Sequence, residues 1–128
     1  MSFSKALLRW EQVHSTSTSS STFFPVTMWS PASSVKEVRA GFEIALPEND
    51  ITVAPAYQVA NVENTVVASG LIGTYQSTSG VHYPSSWQDI STATDGAQLV
   101  RFGWQTLNTS TATRNRVRVG GFVQTKDS

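Results

Sequence analysis

Two histidines, nine acidic residues and a large stock of hydroxyls are the raw material for chemistry in this chain. His82, followed by Asp89 and Asp95, can be set on paper beside one of 18 serines as a nucleophile–base–acid triad. The same can be written for almost any chain this rich in serine. No Gly-x-Ser-x-Gly elbow lifts a nucleophile onto a strained turn, so His82 reads more simply as a polar loop residue. Neither His14 nor His82 belongs to a His-x-His or His-x-x-x-His pair, and cysteine is absent, so no zinc ligand set is offered. Glu48, Asn49 and Asp50, and the pair Asp89 and Asp95, supply the hard oxygens that calcium takes. No spaced Asp-x-Asp-x-Asp run organises them, and Asp and Asn serve turns for backbone reasons. Two carboxylates for glycoside hydrolysis need a defined separation, which a sequence does not encode. Neither a Gly-x-Gly-x-x-Gly turn nor a Walker loop is present. The expectation is a protein that is not an enzyme, with no metal and no cofactor.

Two groups of residues suit binding instead. Tyr75, Tyr83 and Trp87 stand among Ser, Thr, Gln and Asp. Aromatic rings flanked by hydrogen-bonding groups suit both sugar faces and protein hot spots. The plainer alternative is that Trp87 plugs one end of the fold. The second group is Arg101, Arg114, Arg116 and Arg118, whose forked guanidiniums suit carboxylates, phosphates and interface pairing. Its plainer alternative is a solvated strand face, partly neutralised by Glu37 and Glu43. Net charge is zero and charged residues make up 14 % of the chain, against roughly 25 % in an average globular protein. That argues against a basic nucleic-acid binder, and only Phe122 interleaves with these arginines.

These residues must be carried by strands. In 97–125, Val100, Phe102, Trp104 and Thr106 alternate with Arg101, Gly103 and Gln105. Val117, Val119, Gly121 and Val123 alternate with Arg116, Arg118, Gly120 and Phe122. Period-two alternation of β-branched and aromatic residues marks half-buried strands. The pair is expected to form a hairpin with a long loop, 102 opposite 119 and 104 opposite 117, which gathers the arginines on one face. Glu37 to Leu46 repeats the pattern, with Val38, Ala40, Phe42, Ile44 and Leu46 inward and Glu37, Arg39, Gly41 and Glu43 outward. Phe23 to Trp29 is a short apolar run held to an edge by Pro25. Ile51 to Val62 is another strand, in which Pro55 suggests an edge or a bulge. Thr65 to Tyr75 is a further strand, and 76–96 is polar and irregular. No convincing helix lies beyond the first fourteen residues.

The sum is an all-β chain: an antiparallel two-sheet β-sandwich of six to eight strands, Ig-like or jelly-roll in topology. Residues 1–14 carry Phe3, Leu7, Leu8, Trp10 and Val13, whose spacing suits a helix nearly as well as a strand, and lean toward strand because the rest of the chain is β. Ser15 to Thr22 is an unbroken run of Ser and Thr that cannot bury a core. The division expected is therefore 1–22 as an N-terminal arm and linker and 23–128 as the sandwich. Fully extended, the Ser/Thr tract spans roughly 25 Å, enough to reach a neighbouring subunit's sheet edge; the alternative is that the arm folds back as the first strand of its own domain. Leu7, Leu8 and Trp10 join the four arginines as candidate interface residues. Ala6-Leu7-Leu8 is stopped by Arg9, well short of a secretory core. No apolar run approaches the length of a membrane span, so no membrane partner is expected.

The functional expectation is a non-enzymatic structural protein that assembles with itself or onto a larger particle. A phage virion component such as a capsid decoration, tail or fibre part fits, cytoplasmic during assembly and then resident in the virion or another extracellular particle. A carbohydrate-binding module or lectin-like adhesin using Tyr75, Tyr83 and Trp87, with a glycan as partner, is the alternative.

Overall fold

The computed structural model describes residues 3–14, 21–45, 51–63, 65–83, 86–108 and 116–127. Its strands are β1 (Phe3–His14), β2 (Ser21–Pro25), β3 (Ser30–Pro31), β4 (Glu37–Ala45), β5 (Ile51–Ala60), β6 (Val66–Leu71), β7 (Gly80–His82), β8 (Gln88–Asp89), β9 (Leu99–Asn108) and β10 (Arg116–Lys126). Among the described residues, helix is limited to single turns at Ala32–Ser34 and Ser91–Thr94. One sheet, A, has the order β1-β10-β4-β7, with β8 also on β4. The other, B, has the order β2-β9-β5-β6, with β3 also on β9. The long strands pair as nested shells: β5 with β6, β4 with β7, β2 with β9, and β1 with β10. A single long antiparallel ribbon rolled onto itself gives this nesting, and it is the jelly-roll form of the β-sandwich.

The expected hairpin is not formed. β9 pairs with β2, β3 and β5, whereas β10 pairs with β1 and β4 in the other sheet. The inward faces are as expected: Val100, Phe102, Trp104, Val117, Val119 and Val123 are all buried. They meet across the core instead of side by side. An apolar face needs apolar company, and a facing sheet supplies it as well as a neighbouring strand does. The chain between β9 and β10 is also longer than a tight hairpin requires and can pass from sheet to sheet.

Trp104 lies at the centre of the core, fully buried, its ring edge-on to Phe42 with centroids 5.8 Å apart. Trp104 Nε1 and Thr106 Oγ1, successive inward positions of β9, are buried without a hydrogen-bond partner among the described residues. Pro55 is not at an edge. β5 runs between β6 and β9, and Pro55 sits opposite Trp104. Its carbonyl accepts from the Ile72 amide at 2.8 Å, just past the end of the β6 ladder at Leu71. In an antiparallel strand a residue's N–H and C=O point the same way. The missing N–H of Pro55 therefore faces the end of the ladder, where no ladder bond is lost. β2 is an edge strand that ends at Pro25. β1 shows that 3–14 is strand, paired with β10 in the same chain. Leu46 and most of the Ser/Thr tract, 15–20, lie outside the described residues.

Candidate interaction surfaces on the two outer faces

Outward positions of β4 and β10 form the outer face of sheet A. Their register sets Glu37 opposite Lys126, Arg39 opposite Gln124, and Gly41 opposite Phe122. Directly opposed side chains interact most strongly across a sheet, and here they do. Lys126 Nζ lies 3.0 Å from the Glu37 carboxylate, and Arg39 Nε donates to Gln124 Oε1 at 2.6 Å. The edge strand beyond β4 is interrupted. β7 pairs His82 with Phe42, and β8 resumes with Gln88 opposite Val38. Between those pairs the edge carries more residues than β4, and both Tyr83 and Trp87 pack on outward residues of the sheet. Tyr83 comes to rest on Gly41, where a Cβ would stand only 2.5 Å from the Tyr83 ring and 2.8 Å from that of Phe122. Tyr83 and Phe122 have ring centroids 6.4 Å apart. Beyond the interruption, the Arg39 guanidinium and the Lys126 ammonium lie 4.5 and 4.6 Å from the Trp87 ring centre.

Three depressions meet at Tyr83. The largest, about 440 Å³, is lined by Phe42, Ile72, Thr74, Gln76 and His82 among others. His82 stacks on Phe42 at 5.2 Å, with Nε2 2.8 Å from the Thr78 carbonyl. A carbonyl only accepts, so Nε2 carries the proton. The smallest, about 180 Å³, is floored by Gly41, Gly120 and Gly121. The third, about 300 Å³, runs between Arg39, Tyr83, Phe122 and Gln124.

The outer face of sheet B is closed by a different cluster. Arg101 on β9 stands opposite Gln58 on β5. Its Nε and one terminal nitrogen both donate to Gln58 Oε1, at 3.0 and 2.8 Å. Its guanidinium also lies 4.3 Å from the Trp29 ring centre and 5.6 Å from that of Phe23. The expected single basic face is thus divided. Arg101 is on sheet B, while Arg118 is exposed on sheet A. Arg116 takes a backbone position in β10 opposite His14, and Arg114 lies outside the described residues. The cause is the missing hairpin: strands in opposite sheets present outward residues to opposite sides.

Of the expected aromatic platform, Tyr83 and Trp87 are brought together through Arg39, which touches the surroundings of both. Tyr75 lies apart, half-buried in the β6–β7 connection, where burial raises its pKa. Arg39, Phe122 and Gln124 were legible only as outward strand positions. The signal that marks their site is Gly41, a residue without a side chain in the middle of a strong strand. Leu7 and Leu8 sit opposite Phe122 and Gly121, and Trp10 falls where the β1 register shifts, between Leu8 and Glu11. Asp89 accepts from the Ser91 amide at 2.8 Å and caps the turn after β8; hydrogen bonds from Ser91 hold its carboxyl below the usual range. Glu48, Asn49 and Asp50 lie outside the described residues. Among the described residues, no three His, Asp or Glu side chains gather in a metal-binding group. The outer edge of sheet B is apolar: Val66 and Val67 of β6 are 43 % and 56 % exposed, and Val62 just before it is 70 % exposed.

Strand order and core define a jelly-roll β-sandwich, and solved structures agree. The chain is similar to one from the structure of infectious bursal disease virus, Gx strain, with a TM-score of 0.64 and 6 % identity, over 96 % of this chain and 31 % of that one. It is also similar to the VP2 subviral particle of that virus, with a TM-score of 0.61 and 5 % identity, over 98 % and 33 % of the two chains. A third likeness, to T=1 particles derived from the virus, has a TM-score of 0.55 at 7 % identity. The chain spans about a third of the length of each of these. No protein-family model matches the chain, and no curated protein matches it in sequence.

Proposed function

We propose that this protein is a non-enzymatic structural component of a virion or similar particle, acting through contacts with copies of itself. One observation carries the reading: nearly the whole chain follows one domain-sized part of proteins that build virus particles. Two features of the surface support it. The β6 edge carries no charge from Thr65 to Leu71 and leaves valines in water, a combination that isolated domains normally avoid and packed subunits cover. β1 is an edge strand of sheet A and connects to β2 through the Ser/Thr tract. Exchange of β1 between copies would keep the ladder with β10 while tying subunits together. A phage decoration, tail or fibre part is the specific form proposed, assembled in the cytoplasm and then carried in the particle.

Light scattering coupled to size-exclusion chromatography, with negative-stain microscopy of the concentrated protein, tests the reading. Discrete oligomers or shells are expected, growing with concentration. A monomer at every concentration, indifferent to added salt and to crowding, would overturn it.

A further inference from the structure

A half-buried charge ordinarily acquires a counter-ion. On the outer face of sheet A, Lys126 has Glu37. Arg39 is half-buried and has no carboxylate partner among the described residues. Its Nε is tethered to the neutral Gln124 amide, and its plane is stacked by Trp87. One tether and one stacking face fix the guanidinium and leave its terminal nitrogens for the groove bounded by Tyr83 and Phe122. A fixed fork of this kind matches a carboxylate in two parallel hydrogen bonds. Tyr83, 70 % exposed yet held on Gly41, offers a ring face beside it.

We propose that this groove binds the carboxylate of an acidic sugar. The Arg39 fork takes the carboxylate, and the Tyr83 ring takes the C–H face of the sugar. Gln124 lines the same groove, and with its Oε1 accepting from Arg39 its Nε2 amide is the group left to donate to a sugar hydroxyl. The neighbouring depression, with Thr74, Gln76 and His82, supplies polar groups for a second sugar unit. An acidic peptide strand is disfavoured because it needs a free sheet edge. β4 lies between β10 and β7–β8, and β10 lies between β1 and β4. The site does not depend on the assembly reading, since all its residues come from one chain.

The test is a titration of the labelled protein with glucuronate, glucose, acetate and an Asp-rich peptide, following the arginine Nε–H and tryptophan Nε1–H signals by NMR. Glucuronate should move the Arg39 and Trp87 signals saturably, with glucose at least about tenfold weaker, as expected for loss of a charged hydrogen-bonded pair. Arg39→Gln should bring glucuronate down to the level of glucose. Tyr83→Ala, a surface change, should weaken glucuronate while leaving circular dichroism and Tm unchanged. Should Arg39→Gln fail to fold, Arg39→Lys keeps the charge without the fork and should still weaken glucuronate. No saturation by glucuronate, equal binding of glucose or acetate, or a preference for the peptide would overturn the proposal.

Discussion

Arg101 and Arg39 are built alike and end differently. Each projects from the outer face of a sheet, binds a glutamine directly across the strand pair, and stacks on a tryptophan. Arg101 spends two nitrogens on Gln58 and is covered by a second ring, Phe23. Arg39 uses one nitrogen and opens onto a groove. The first arrangement closes a sheet face; the second leaves directed donors beside an exposed ring. The source of the difference is the broken edge of sheet A. A continuous strand along β4 would lay its side chains in a regular row, whereas the interruption between β7 and β8 throws Tyr83 and Trp87 back over Gly41 and Arg39.

The comparison can be broken from beneath. Both faces rest on one core, and Trp104 is its largest buried side chain. Trp104→Ala should cost about 3–5 kcal/mol in denaturant unfolding, the range for large aromatic truncations. It should erase the distinction between the faces by loosening both. Trp104→Phe should cost much less, because the indole N–H it deletes has no partner to lose among the described residues. At the next level, Arg101→Ala should cost about 2 kcal/mol, since it removes two hydrogen bonds to a charged donor and two ring contacts. Arg39→Ala, losing one of each, should cost less than about 1 kcal/mol. Equal losses would mean that the two arginines play the same structural part. Gly41→Ala should cost about 1 kcal/mol, because its methyl group meets Tyr83 and Phe122. Tyr83 can lift, so the change should show as altered tyrosine exposure before it shows in Tm.

Much of this was legible in the alternation of side chains. Val38 to Ile44 and Val100 to Trp104 bury the residues that their period-two pattern turns inward, and Val117 to Val123 does so except at Gly121, which is half-buried. Which strands lie side by side was not legible. Alternation reports which face is buried and is silent on whether the burying partner is a neighbour in the sheet or a strand across the core. The jelly roll uses the second option for β9 and β10, and the arginine face dissolved with the hairpin. Pro55 misled for a related reason: proline forbids one ladder bond on one side, and β6 stops where that side needs nothing. The site around Tyr83 depends on a strand interruption, and 76–96 had no period from which to place it.

The smallest effect on stability belongs to the prediction that decides between surfaces for assembly. Arg118 is exposed on the same outer face of sheet A as Arg39, near the start of β10. A surface charge of this kind contributes little to folding, about 0–1 kcal/mol, so Arg118→Glu should leave Tm within a degree or two. If the outer face of sheet A meets a neighbouring subunit's carboxylates, the reversal places like charges together and should dissociate the oligomer, more strongly at low salt. If subunits join instead through the apolar β6 edge, Arg118→Glu should assemble normally and Val67→Lys should not, since a charge on an edge strand blocks pairing. Light scattering of the two variants separates the cases. Assembly that survives both changes would leave exchange of β1, tested by deleting residues 3–14 and looking for a folded monomer.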